Sequence, residues 1–229
     1  MVVRFGLLTR KPGMSPAEFS RHWHQSHGPM AATFPGLRGY TQNVVVDARQ
    51  LAIDHARGGW SLDGLSQLWF DDLDAVHAAI SSAGYAPALK DETDFIGAIK
   101  LVNCITNVVV PLLKTDGPLI KRMSLLTRRP DIDAERFKHE WWGFHAEAVK
   151  KFPGLVGYNQ NLVVERGRLP SDGATYADVP VDGVVEMWFR TIADLEGAFA
   201  SPAAVVSQTH AKDFISEITT FLVEPRRVV

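Results

Sequence analysis

The chain has 229 residues, 46% apolar and 22% charged, with a formal net charge of −2, a composition ordinary for globular proteins. So slight a charge supplies no long-range attraction to phosphate backbones or anionic lipid, which argues against nucleic-acid and membrane-surface partners. Cys104 is the only cysteine, so no intrachain disulfide can form and a reducing compartment fits. The start, Met1-Val-Val-Arg-Phe5, runs straight into a strand-like pattern, and no apolar run reaches the roughly 18 to 20 residues of a membrane span; the expectation is a cytoplasmic protein.

In chain order, residues 2–10 read as a strand and Lys11-Pro-Gly-Met14 as a turn. Ser15-Pro-Ala-Glu18 then offers an N-cap, a proline at the first helical position and a capping-box glutamate, predicting a helix over 16–33. On it Phe19, Trp23, His27, Met30 and Phe34 recur at three and four residues and so share a face. Phe34-Pro-Gly-Leu37 stops it, and 38–47 reads as a second strand. The connection 48–62, with His55, Gly58-Gly59 and Trp60, is long enough to cover something. Residues 63–70 read as a third strand, 72–83 as a helix, 84–96 as irregular or a short helix, and 98–110 as a fourth strand. The order β-α-β-β-α-β is ferredoxin-like.

The pattern then repeats: strand 119–127, helix 134–151, strand 156–165, loop 166–181, strand 183–190, helix 192–201, strand 217–224. Laid over each other without a gap, residues 7–43 and 125–161 agree at 16 of 37 positions, an internal duplication. Leu-Leu-Thr-Arg, Phe-x3-Trp-x3-His and Phe-Pro-Gly-Leu-x-Gly-Tyr-x-Gln-Asn occur in both copies. The reading is an α+β chain of two ferredoxin-like repeats, 1–113 and 118–229, linked through Pro111–Pro118. A four-stranded sheet with its helices on one side leaves an apolar face uncovered, so the two sheets are expected to close on each other as an intrachain barrel.

Arg10-Lys-Pro-Gly-Met-Ser-Pro-Ala-Glu-Phe19, Trp23-x3-His27-Gly-Pro29 and Pro35-Gly-Leu-x-Gly-Tyr40 resemble the EthD domain family of the dimeric α+β barrel superfamily. The resemblance covers most of each half, so the chain looks like a fused version of what is usually a homodimer. It implies a mostly apolar cleft between helices and sheet in each half, with His27 and Tyr40, and again His145 and Tyr158, as its polar groups. Relatives in the superfamily include isomerases, polyketide cyclases, decarboxylases, dehydratases, cofactor-free monooxygenases and haem-degrading enzymes.

Read on their own, His27 and His145 sit on the apolar stripe of their helices, one turn beyond a tryptophan. An imidazole there can pass a proton between two ligand atoms, or it can simply lock the helix to the sheet. Tyr40 and Tyr158 can polarise a carbonyl or stabilise an enolate, or pack. Gln42 and Gln160 share the tyrosines' strand face, and Asn43 and Asn161 take the other. Trp23, Trp141, Trp69 and Trp188 read as core or pocket wall, suited to flat ligands, with 48–62 as a lid on the first site. Gln67 becomes Glu186 in the second copy, on the face of the neighbouring tryptophan, as a site acid/base or a salt-bridged residue. Arg10 and Arg128 end their first strands, where they can clamp a carboxylate. His22, His24 and His27 cluster, but on an α-helix only His24 and His27 could chelate, and no third ligand has recognisable spacing. No cofactor is expected.

The leading expectation is a cofactor-free lyase or isomerase acting on a small aromatic, lactone or polyketide-like compound. The alternatives are a non-catalytic small-molecule binding module and a haem-binding, monooxygenase-like relative. His145-Ala-Glu147 lacks the proline of His27-Gly-Pro29, so if one half is active the first is favoured. A homodimer of the fused pair stays open.

Overall fold

The computed structural model describes residues 1–113 and 116–229, so part of the expected Pro111–Pro118 linker lies outside the described residues. The first repeat runs β1 (Val2–Arg10), α1 (Pro16–His22), α2 (Gly28–Ala31), β2 (Gly39–Asp47), β3 (Gly64–Phe70), α3 (Leu73–Ser81), α4 (Ala86–Phe95) and β4 (Ile96–Val110). The second runs β5 (Ile120–Arg128), α5 (Ala134–Glu140), α6 (Ala146–Val149), β6 (Leu155–Arg166), β7 (Gly183–Phe189), α7 (Ile192–Phe199), α8 (Pro202–Ala211) and β8 (Ile215–Arg227). No helix is long and apolar enough to cross a membrane among the described residues.

The capping box forms as the sequence dictates. Glu18 N donates to Ser15 Oγ at 3.2 Å and Ser15 N to the Glu18 carboxylate at 2.9 Å. The helix it opens is not uniformly α. Between α1 and α2, and again between α5 and α6, lies one π-helical turn, Trp23–His27 and Trp141–His145. Such turns concentrate at functional sites, and these carry the Trp-x3-His motif. The helix alternative for 84–96 is the one that forms, as α4, and a further helix, α8, stands where the sequence reading assigns no element. Proline and a polar cap start α8 at Ser201, but its buried residues are Ala204, Ser207 and Ala211, too small to make a hydrophobic stripe.

The strands close into one barrel in the order β1-β3-β2-β8-β5-β7-β6-β4. Each repeat contributes a four-stranded ferredoxin-like sheet, and β2–β8 and β4–β6 are the two equivalent joins. The barrel interior is packed with Val3, Phe5, Val102, Met123, Leu125 and Phe221; the helices cover its outside. Both faces of every sheet are therefore buried.

One ion pair sits inside the barrel. Lys121 Nζ lies 2.7 Å from Glu186 Oε1, with side chains 3% and 2% exposed. Lys121 also donates to Asn43 Oδ1 (2.9 Å) and Gln67 Oε1 (3.2 Å), while Gln67 Nε2 and Asn161 Nδ2 each donate to Glu186 at 3.0 Å. Burial pushes the Glu186 carboxyl up, but Lys121 and the two amides outweigh it and the net displacement is downward. Of the two sequence readings of Glu186, the structure gives the salt-bridged one.

Candidate functional site

Each repeat holds a cavity between its helices and the outer face of the sheet. The first, about 40 Å³, is lined by Trp23, His27, Tyr40, Arg4, Tyr85 and Glu92 among others. The second, about 50 Å³, is lined by Trp141, His145 and Tyr158 with a more apolar wall. Each has room for a few waters. The close seat of both tryptophans depends on glycine: a Cβ at Gly64 or Gly183 would run into the ring of Trp23 or Trp141.

In the first cleft the π-turn sets the geometry. It turns His22 and His27, five residues apart, toward one carboxylate on α4. His22 Nε2 donates to Asp91 Oδ1 at 2.9 Å and His27 Nδ1 to Asp91 Oδ2 at 3.0 Å. With Nδ1 carrying the proton, Nε2 of a neutral His27 is the basic nitrogen. Burial pulls the His27 pKa below its ordinary value, against the Asp91 hydrogen bond, which raises it; the ring is neutral at pH 7. Sequence spacing on an α-helix sets His22 apart from His27, and the π-turn corrects that reading. His24 instead contacts Gln42 Oε1 at 3.3 Å.

Tyr40 places a hydroxyl in the same cleft as His27. Trp23 Nε1 and Gln42 Nε2 donate to its oxygen at 3.0 and 3.1 Å, so the two acceptor positions are filled and its own proton is free to be given away. Burial raises the phenol's pKa well above the ordinary value, which keeps it a donor rather than a phenolate. Gln42 is fully buried and also donates to the Trp23 carbonyl at 2.7 Å, fastening the π-turn to the strand. Gln42→Leu should therefore cost about 1–3 kcal/mol by leaving that carbonyl a donor short in the interior. A denaturant midpoint unchanged from wild type would show that the amide holds nothing.

Beyond these, the structure brings in residues that sequence reasoning missed. Arg4 Nη1 donates to Asn103 Oδ1 at 2.9 Å and Nη2 to the Arg168 carbonyl at 3.1 Å. Arg168 bonds Glu92 Oε2 at 2.7 Å and also reaches Tyr85 Oη. Burial raises the Glu92 carboxyl, and Arg4 opposes that rise. The one available signal was an arginine at the same place in both copies, Arg4 and Arg122, within apolar strands.

Arg168 belongs to the second repeat's long loop, so the loops are exchanged. It reaches the first cleft, whereas the 48–62 loop crosses to the second. There Ile53 and His55 line the cavity, and His55 Nε2 donates to the Ile215 carbonyl at 3.0 Å. The expectation that 48–62 covers the first site is corrected. The first repeat's loop covers the second repeat's cleft.

Other candidates lie elsewhere. Trp69, Gln67, Trp188 and Glu186 point into the barrel interior, on the opposite side of the sheet from the clefts, because Tyr40 and Tyr158 face outward. Trp69 and Trp188 are thus corrected as cleft walls. Arg10 pairs with Asp63, and Arg128 with Asp182, at the strand ends; neither is among the residues lining a cleft. Gln160 repeats the role of Gln42, donating to the Trp141 carbonyl at 2.7 Å and to Tyr158 Oη at 2.8 Å.

The second cleft has lost the carboxylate that holds the histidine. Asp91 is replaced by His210 and His22 by Glu140, and these two bond each other at 3.2 Å. His145 Nδ1 is buried with no partner among the described residues. Burial, with His210 and His55 nearby, pulls the His145 pKa down to about 3.

The EthD domain profile matches residues 11–98 and again residues 129–217. The chain belongs to the EthD domain family. This tandem EthD chain also resembles solved structures. An anthrone oxidase-like protein is 12% identical with a TM-score of 0.65, over 99% of this chain and 93% of that one. A protein of Lactobacillus acidophilus NCFM provisionally named a monooxygenase is 11% identical with a TM-score of 0.57, over 100% and 94%. An EthD family protein of Bacillus halodurans C-125 is 22% identical over 45% of this chain and 96% of its own, with a TM-score of 0.37. At these identities the likeness is one of fold. No curated protein matches the sequence.

Proposed function

We propose that the first cleft carries cofactor-independent acid–base chemistry, as an isomerase or lyase, on a small ring compound bearing a carbonyl. The observation that carries this is the pairing of an Asp91-held His27 with a Tyr40 hydroxyl free to donate, both lining one buried cavity. His27 Nε2 takes a proton from the carbon beside the carbonyl. Tyr40 donates to the oxygen as negative charge develops there. The imidazolium, steadied by Asp91, returns the proton to another ring atom in an isomerisation or to a departing hydroxyl in a dehydration. The closed cavity is smaller than such a ring, so binding needs wall side chains to move; Tyr85 and Glu92 of that wall are held by Arg168, from the other repeat's loop.

The test is a thermal-shift panel of lactones, hydroxyaromatics and phenolic ketones, followed by chromatography for an isomer or a dehydrated product. His27→Gln should lower turnover about 10²- to 10⁴-fold while ligand still shifts the melting temperature. Wild-type turnover in that variant would remove the catalytic reading. Binding without conversion in either protein would leave a binding module.

A further inference from the structure

The second repeat keeps a buried cation beside its cleft for which the described residues supply no hydrogen-bond partner. Arg122 lies on β5, on the helix-facing side, two residues from Ser124 and directly across from Met187 on β7; both of these line the cavity, while Arg122 itself sits just behind that wall. It is 1% exposed, and both Nη1 and Nη2 are buried without a hydrogen-bond partner among the described residues. Its guanidinium lies 4.5 Å over the ring of Phe199, another cavity wall. That ring covers one face of the group, and a ligand reaches the buried Nη edge once the wall side chains Phe199 and Met187 move aside.

The repeat shows what has been removed. Arg4 is paired with Asn103 across β1 and β4, and the matching pair across β5 and β8 is Arg122 with Leu222. Glu92 and Tyr85, which share the first cavity with Arg4, are replaced 119 positions on by Ala211 and Ala204. A guanidinium stays protonated in proteins, and burying it unpaired is costly. The second repeat has kept the cation and lost the amide, the carboxylate and the phenol that accompany Arg4 in the first.

We propose that the second cleft is a separate binding site for a small apolar monocarboxylate, anchored through its two oxygens by Arg122. The hydrocarbon end lies among Leu126, Val149, Phe152 and Val185, beneath Ile53 of the exchanged loop. One guanidinium in an apolar wall suits one planar carboxylate, which it can bind through two parallel hydrogen bonds. A cavity of about 50 Å³ favours a short body. Neutral His145 adds no second positive charge. The site goes beyond the chemistry proposed for the first cleft and does not depend on it.

The experiment measures binding and melting temperature with butyrate, benzoate, neutral butyramide and sulfate on wild type, Arg122→Met and Leu222→Asn. Butyrate or benzoate should stabilise wild type, and butyramide and sulfate should not. Arg122→Met, relieved of an unpaired charge, should melt no lower than wild type without ligand, and should bind carboxylate roughly 10- to 150-fold more weakly. Leu222→Asn, which gives Arg122 the amide that Arg4 has, should stay folded and also bind more weakly. Lack of stabilisation by either carboxylate overturns the proposal, as does equal binding by Arg122→Met. A much lower melting temperature for unliganded Arg122→Met overturns it too, by making Arg122 a structural residue. Sulfate acting as well as carboxylate overturns the assigned ligand class.

Discussion

Replacing Lys121 by methionine should destabilise the protein by about 3–5 kcal/mol, the usual cost of stranding one member of a buried ion pair. The pair lies inside a closed barrel, with both side chains at most 3% exposed, so the Glu186 carboxylate left behind has no solvent to turn to. Asn161 and Gln67 would still donate to it, which places the loss at the lower end of that range. The double variant Lys121→Met, Glu186→Gln should recover most of the stability, because well-packed neutral groups replace a charged pair at little net cost. Urea unfolding of the three proteins checks this. Equal losses in the single and double variants would contradict it. The first repeat supports the expectation, since Val3 and Gln67 stand where the second has Lys121 and Glu186, and that half of the barrel closes without a charge.

Acid should destabilise the protein through His145. Its pKa falls from an ordinary 6.5 to about 3 on folding, so between those values the unfolded chain binds a proton that the folded one refuses. The stabilisation is complete above about pH 6.5 and is lost as pH falls toward 3, on the order of 5 kcal/mol across the window. Between pH 7 and pH 5 wild type should lose about 2 kcal/mol more than His145→Phe, which has no proton to bind there. Parallel pH profiles for the two proteins would contradict the burial of a neutral imidazole.

The repeat, the strand order and the cap at Ser15 were legible in the sequence because each is a local pattern. The clefts were legible in part. His27, Tyr40, Trp23 and Gln42 meet where their spacing on one helix and one strand suggests, and the same holds for His145, Tyr158, Trp141 and Gln160. What failed had physical causes. Alternation separates Tyr40 from Asn43 but cannot say which face of a strand looks at the helices when a barrel buries both; Trp69 and Trp188 were misplaced for that reason. A Trp-x3-His spacing reads as α, and nothing local announces the π-turn that swings His22 and His27 onto Asp91. Asp91 itself sits in α4, a segment the sequence leaves between irregular chain and a short helix, so nothing fixed which way its carboxylate would face. The loop exchange joins Arg168 to Glu92 and His55 to Ile215 across distances in sequence that no local pattern records.

If the two repeats have diverged as proposed, protons are transferred in the first cleft, where Asp91 holds His27, and not in the second. Deuterium wash-in tests this most directly. Small enolisable lactones and aromatic ketones are incubated with the protein in heavy water and the label is read by mass spectrometry, comparing wild type with His27→Gln and His145→Gln. Incorporation should collapse in His27→Gln and persist in His145→Gln. Incorporation that survives the loss of His27 and disappears with His145 would contradict it.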